Sequence, residues 1–283
     1  MRIVSLLPST TEILFAVGAG DDVVGVTFEC DFPAEARERR IVSTSAMPDG
    51  LTPAEIDAYV VQAMSRGEDL YRLDEGALAG LDADLVVTQD LCAVCAVDVS
   101  VVDDALAHLG CTAEVLTIDP HTLDEVLGSI VTLGERTGRA EQAAAIVASQ
   151  RARLSAVADT VAGRTRPRVM FLEWTEPPFA PGHWVPEMIE LAGGEPLLGT
   201  PGEKSRRVTW DAIAAASPDV IVVGPCGYDL AGATALADAL RPTLAEHGLA
   251  GVRVHAVDAN ASWARPGTRL VQGVEELARL LHP

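Results

Sequence analysis

Lysine is almost absent from this chain: Lys204 is the only one. The 283 residues carry 41 acidic side chains against 21 basic ones, a formal net charge of −20, and the arginines are scattered. A nucleic acid or an anionic membrane surface is held by clustered Lys and Arg, so neither is an expected partner. Long hydrophobic runs are missing too. No stretch approaches the roughly 18 apolar residues of a spanning helix, and no membrane insertion is expected. Near the start, Ile3, Val4, Leu6 and Leu7 imitate a leader, but Pro8-Ser9-Thr10-Thr11-Glu12 breaks the run before it is long enough. The first cysteine, Cys30, stands too far along for a lipoprotein anchor. As written the chain reads as cytoplasmic, and as periplasmic or extracellular if a leader has been removed. Five cysteines, an odd number in a long chain, fit a reducing compartment better than a disulfide framework. Catalytic templates are lacking: there is no GxSxG elbow, no GxxxxGK[ST] loop and no GxGxxG after the first strand.

What is present is ample apolar material. A hydrophobic content of 48% supports real cores, and the length favours about two domains. Short β-branched runs alternate with helical patterns, the mark of an α/β fold with parallel sheets. The expected strands are Ile3 to Leu6, Val23 to Val26, Leu85 to Thr88, Ala113 to Leu116, Arg168 to Leu172, Val220 to Val223 and Val254 to Val257. Ser9 with Glu12 and Thr52 with Glu55 both match the capping box, and Pro53 fits the first helical position. From Leu123 to about Val161 the alternation stops and one long helical stretch runs on, with a break expected near Gly138. We expect an N-terminal lobe over 1–122, a connecting helical segment over 123–163 and a C-terminal lobe over 164–283.

The halves echo one another. Arg2 opens the strand to Leu6 and Arg168 the strand to Leu172. Asp82-Ala83-Asp84 leads into Leu85-Val86-Val87, and Ser217-Pro218-Asp219 leads into Val220-Ile221-Val222-Val223. A duplicated α/β unit accounts for this economically.

In open parallel sheets, ligands bind beyond the carboxyl ends of the strands, and the chemically unusual residues fall there. They include Pro8 and Ser9, then Glu29 and Cys30, then Gln89 with Cys92 and Cys95. In the second half they include Glu173, Trp174, Phe179, His183, Trp184, Cys226, Tyr228, Trp263 and Arg265. Three of the four tryptophans belong to this set, so the expectation is a ligand cleft lined by loops of both lobes. Cys92, Cys95, Cys226 and His183 are candidate ligands for a metal ion, with small thiols tolerated in tight loops as the other reading. Glu173 and Glu176 can be read as an acid–base pair or as a polar rim. Trp210, after the N-cap candidate Thr209, reads as packing. Lys204, Arg206 and Arg207 form a local basic cluster.

The ordered motifs resemble a known family. Arg2-Ile3-Val4-Ser5-Leu6-Leu7-Pro8-Ser9-Thr10-Thr11-Glu12-Ile13 followed by Val23-Val24-Gly25-Val26-Thr27 is similar to the start of the substrate-binding proteins serving cobalamin and ferric-siderophore ABC importers. Phe171-Leu172-Glu173-Trp174, Pro177-Pro178-Phe179, Gly182, Glu190-Leu191-Ala192-Gly193-Gly194 and Trp263-Ala264-Arg265-Pro266-Gly267-Thr268-Arg269-Leu270 extend the likeness over the chain, in a form that looks like a leaderless subgroup. The resemblance implies two Rossmann-like lobes joined by one long helix, the helical-backbone metal receptor type. It also implies a cobalamin or related corrinoid, or another metal chelate, as ligand, and an ABC permease as partner if the protein is exported. Residues 177–182 and 263–265 would then touch the ligand, and Glu55 or Glu187 would be acidic docking residues. A second reading, from a different class, is a cytoplasmic metalloenzyme or metallochaperone using the cysteines with Glu173 and His183.

Overall fold

Runs of Val, Ile and Leu too short for helices become strands buried on both faces, and the computed structural model describes them over residues 1–68, 70–73, 76–89 and 113–283. By internal contacts the chain divides into one unit of Met1–Asp119 with Gly128–Val147 and another of Pro120–Leu127 with Ala148–Pro283. The helical stretch is two helices, Leu123–Arg136 and Ala140–Val161, separated where Gly138 takes φ 70°. The division falls inside each helix, and Leu123, Val126, Leu154 and Val157 join a core of the second unit.

The first unit holds β1 (Ile3–Ser5), β2 (Val23–Thr27), β3 (Arg40–Ser45), β4 (Tyr71–Leu73), β5 (Leu85–Thr88) and β6 (Glu114–Thr117) in the order β4-β3-β2-β1-β5-β6. All neighbours are parallel except β3 and β4. The second holds β7 (Arg168–Leu172), β8 (Trp174–Thr175), β9 (Pro178–Ala180), β10 (Glu195–Pro196), β11 (Arg206–Arg207), β12 (Val220–Val223) and β13 (Arg253–Ala256). Its parallel sheet runs β10-β7-β12-β13, and β11-β9-β8 form a small antiparallel sheet.

All seven expected strands are present within a residue or two. The sequence reading did not include β3, whose exposed ends hide the apolar pattern, β4, which is only three residues long, or the short strands built from the Pro-rich segment after β7. The Thr52–Glu55 capping box forms in full, with Pro53 in the first turn. Ser9 and Glu12 do not form one. The helix already begins at Pro8, and both residues are buried inside it.

The echo between the halves is carried by matching hydrogen bonds. The Arg2 backbone N–H donates to Asp84 Oδ2 at 2.7 Å and its Nε to the Leu81 carbonyl at 2.5 Å. The Arg168 N–H donates to Asp219 Oδ2 at 2.8 Å, and its guanidinium to the Ala216 carbonyl at 2.9 Å. Asp82 and Ser217, each two residues before the aspartate, both sit in the left-handed region at φ 45° and 50°. Register matches as well: Ile3 opposes Leu85 as Val169 opposes Val220. One latch thus sets the alignment of the central strand pair in each unit.

In the second unit β7 is buried throughout its apolar length. Val169 and Phe171 face a core with Met188, Ile189, Trp263, Val271, Val274 and Leu277, while Met170 and Leu172 face another with Ile221, Val223, Leu240 and Leu244. Each such side chain stabilises by roughly 1.5–3 kcal/mol on burial. The Leu270–Leu281 helix supplies Leu270, Val271, Val274, Leu277 and Leu281 at helical spacing. Arg153 pairs with Glu275 through two bonds of 2.8 Å, tying the Ala140–Val161 helix to it.

Because the latch bonds are partly exposed, Asp84→Ala and Asp219→Ala should each cost about 1 kcal/mol of stability, the usual net worth of a hydrogen bond. Urea denaturation of the two variants measures this, and equal small losses are the expected result.

Candidate functional site

Strand order identifies where each sheet opens. In the first unit β1 has β2 on one side and β5 on the other, and in the second β7 has β10 and β12. Connections leaving such a central strand in opposite directions open a crevice at its carboxyl end. Pro8 and Ser9 stand beyond β1, and Glu173 and Trp174 beyond β7.

In the first unit these positions are mostly closed. Pro8 and Ser9 are buried in the first turn of the Pro8–Ala16 helix. Cys30 is 2% exposed, with its Sγ 3.1 Å from Thr11 Oγ1, and Thr11 in turn bonds Ser5, which bonds Thr10. This sealed hydroxyl–thiol network joins β1, the first helix and the segment after β2. Pro8, Ser9 and Cys30 therefore act as interior residues here, contrary to the ligand-contact expectation. Glu29 is half-buried and accepts a bond from the Tyr71 hydroxyl at 2.8 Å, while the Phe28 ring lies 5.7 Å from that of Tyr71. Gln89 is half-buried just after β5. Cys92 and Cys95 lie outside the described residues.

The second unit presents the larger constellation. Trp174 is half-buried, its indole N–H donates to the Glu176 carbonyl at 3.1 Å, and its ring meets Tyr228 edge-on at 5.8 Å. Burial pushes the Tyr228 hydroxyl above its ordinary pKa. Phe179 lies under the Arg207 guanidinium at 5.7 Å. Cys226 is exposed between β12 and Tyr228, and Arg265 is half-buried. Three partly accessible aromatic rings, one thiol and an arginine thus stand at the carboxyl ends of β7, β12 and β13.

Trp184 and Trp263 do something else. Trp263 is fully enclosed, meets the Phe171 ring at 4.8 Å with the planes tilted by 35°, and packs against Gly273, where an added Cβ would meet the Ser262 carbonyl. Trp184 is 7% exposed and donates its indole N–H to the Trp263 carbonyl at 2.8 Å. Both are pillars of the core under the loops, and a ligand cannot stack on either ring as placed. Position at a strand end was readable in sequence, whereas the direction of the side chain was not.

Glu173 ties the loops together. Its carboxylate accepts the Gly182 N–H at 2.9 Å and a bond from the Ser205 side chain. Its backbone N–H donates to Phe179, and its carbonyl accepts from Cys226 N–H. Gly182 is obligatory, since a Cβ there would collide with the Ser205 backbone. His183 N–H donates to Glu203 at 2.6 Å and its carbonyl accepts from Gly202 at 2.9 Å. Burial outweighs the two bonds and raises the Glu173 carboxyl from 4.5 to about 7. That makes Glu173 a buried structural clip, with no partner placed for paired acid–base work with the exposed Glu176. The sequence reading missed Ser205 and His121, neither of which carries a local signal; Arg207 was noted there only as part of a basic cluster.

His183 takes φ 51°, its ring lies 5.7 Å from His121 and 5.6 Å from Trp184, and burial, then His121 and Lys204, lower its pKa. Among the described residues no group of three His, Cys, Asp or Glu side chains is placed to hold a metal ion. Nor is any helix long and apolar enough to cross a membrane.

The folded-state pKa of Glu173 exceeds its ordinary value, so its favourable contribution is complete below pH 4.5 and is lost as pH rises through about 7. At ~1.4 kcal/mol per pH unit that is at most about 3 kcal/mol. Glu173→Gln should remove this component: between pH 5 and 8 the wild type should lose up to about 3 kcal/mol more than the variant in urea denaturation. Equal pH slopes would show that the carboxyl is not held in this way.

Comparison with known proteins places these features in context. The family described as "Periplasmic binding protein" matches residues 3–243. The uncharacterized ABC transporter substrate-binding lipoprotein YvrC of Bacillus subtilis is 28% identical over 291 residues, 100% of this chain and 80% of the relative. A cobalamin-binding protein of Halobacterium salinarum is 26% identical over 286 residues, covering 99% and 69%. Among solved structures, the periplasmic haem-binding protein RhuT from Roseiflexus sp. RS-1 in apo form aligns with TM-score 0.71 at 21% identity, covering 99% of this chain and 97% of that one. The periplasmic vitamin B12 binding protein BtuF of Vibrio cholerae aligns with TM-score 0.68 at 22% identity, covering 99% and 96%. At these identities the structural likeness concerns the fold.

Proposed function

The chain belongs to the periplasmic binding protein family, and from that premise we propose that it is a substrate-binding protein for a cobalamin-like or other metal-chelate ligand, serving an ABC importer. The observation that carries this reading is the aromatic group Trp174, Tyr228 and Phe179 at the carboxyl ends of β7 and β12. A large flat macrocycle buries wide apolar area on such rings at little cost in side-chain entropy. Glu173 and the buried pair Trp184 and Trp263 hold the rings in place, so little ordering remains to be done on binding. Arg207 and Arg265 place positive charge beside these rings, which suits carboxylate groups at a macrocycle rim. Relatives named for cobalamin and structural neighbours named for haem and vitamin B12 support the same class of ligand. The alternative of a metalloenzyme or metallochaperone has no such support.

Titration of the purified protein with cyanocobalamin and with haemin, followed by visible absorbance and tryptophan fluorescence, tests the proposal. One of them should bind stoichiometrically. Trp174→Ala should weaken that binding by roughly 1–3 kcal/mol, as for loss of an aromatic anchor. Absence of uptake of both, or an unchanged Kd in the variant, would count against the reading.

A further inference from the structure

The short strands after β7 bring one row of side chains together. In the antiparallel sheet β11-β9-β8, Trp174 stands opposite Phe179 on one side and Arg207 stands opposite it on the other. Residues directly opposite in antiparallel strands leave the sheet on the same face, with Cβ atoms about 4.5–5.5 Å apart. Indole, phenyl and guanidinium therefore form a ladder roughly 10 Å from end to end. Burial identifies the face. Trp174 and Phe179 are half-buried and Arg207 is exposed, whereas Thr175, Pro178 and Ala180 on the other face are buried, Ala180 in the core that holds Met170 and Leu172.

Sheet order puts the charge at one margin of this surface. β11 is an edge strand, and at the opposite margin Trp174 continues into Tyr228, whose ring it meets at 5.8 Å. Of the basic cluster, Arg207 alone belongs to the row: Arg206 pairs with Ala180 on the other face, and Lys204 precedes the strand, close enough to act on His183. The Arg207 guanidinium lies 5.7 Å from the Phe179 ring centre. A guanidinium carries several N–H donors and a bidentate carboxylate uses a pair of them, so the side chain can serve a ligand and its neighbours in the protein together. With a net charge of −20 the chain as a whole repels anions, and selection for one has to come from such a local placement.

Resting on the metal-chelate reading of the same rings, we propose that Arg207 is a specificity-determining residue: the ladder takes a planar chelate that carries a carboxylate on its rim, as haem does, in preference to one whose rim is made of amides. The macrocycle lies on Trp174 and Phe179, and its carboxylate reaches the β11 margin, where Arg207 donates a pair of charge-assisted hydrogen bonds. An amide rim receives neutral-acceptor bonds there, which are weaker. Because the guanidinium already rests against Phe179, little side-chain freedom is lost when it pairs.

The test compares one macrocycle with its own ester. Haemin and haemin dimethyl ester differ only in the rim carboxylates, and cyanocobalamin supplies an amide rim; each is titrated into the purified full chain at low salt and followed by visible absorbance. Wild type should bind haemin about tenfold or more tighter than either of the others, and the gap should shrink at about 0.5 M sodium chloride, as screening requires. Arg207→Gln should bring haemin and its ester to within about twofold of each other, and Arg207→Lys should restore part of the difference. Loss of packing alone would weaken acid and ester in parallel, so their ratio isolates the charge. Equal binding of haemin and ester by wild type, an unchanged ratio in Arg207→Gln, or tighter binding of cyanocobalamin than of haemin overturns the role of Arg207 and leaves the macrocycle reading standing. Uptake of none of the three overturns both. Should Arg207→Gln fail to fold, the wild-type ratio and its salt dependence decide.

Discussion

Parallel pairing of strands that are buried on both faces governs the rest of this molecule. Once Val169 opposes Val220 and Leu172 opposes Val223, every side chain of β7 and β12 has its core assigned, and a slip by one residue would turn the whole set to the wrong face. Pairing in parallel also sends every carboxyl end to the same edge of the sheet. Loops bearing Trp174, Tyr228 and Arg265 therefore gather there by geometry, and contacts such as the Trp174–Tyr228 ring pair and the Cys226 N–H to Glu173 carbonyl bond then join them. The Arg168–Asp219 latch sits at the opposite end of the strands and fixes the register from which this follows, and Arg2 with Asp84 does the same in the first unit.

The scarce aromatics divide into two kinds of work. Trp184 and Trp263 bury their area inside the core, where Trp263 packs against Phe171, and so give the loops above them a rigid floor. Trp174, Phe179 and Tyr228 keep part of their rings open. Glu173 connects the two sets. Its carboxyl, held by the Gly182 N–H and the Ser205 side chain, costs solvation energy that a fold would not spend without a loop to position. That cost is the physical reason its carboxyl is pushed up to about 7.

Much of this was legible in the chain. Alternation of β-branched runs with helical patterns specified an α/β fold with parallel sheets, and the paired Asp82-Ala83-Asp84 and Ser217-Pro218-Asp219 segments announced the duplication that the hydrogen bonds bear out. Thr52 and Glu55 capped their helix as local chemistry demands. Ser9 and Glu12 have the same spacing and failed to do so, because the helix starts at Pro8, two residues sooner than a Ser9 cap requires, and burial claims both side chains. Strand β3 escaped notice since a strand exposed at its ends carries little apolar signal, and β4 since three residues are too few for a pattern. The site was half visible: strand-end positions could be read, but Cys30 and Trp263 turned inward.

By itself the sequence determined the fold class, the duplicated unit and the strand ends where a ligand site would lie, all of which depend on composition and short-range periodicity. Tertiary structure decided which residues at those strand ends face outward, that Glu173 clips Gly182 and Ser205, and that His121 meets His183 across 62 positions of chain. Such pairings arise from packing between segments remote in sequence, and no local pattern encodes the direction in which a side chain leaves a loop.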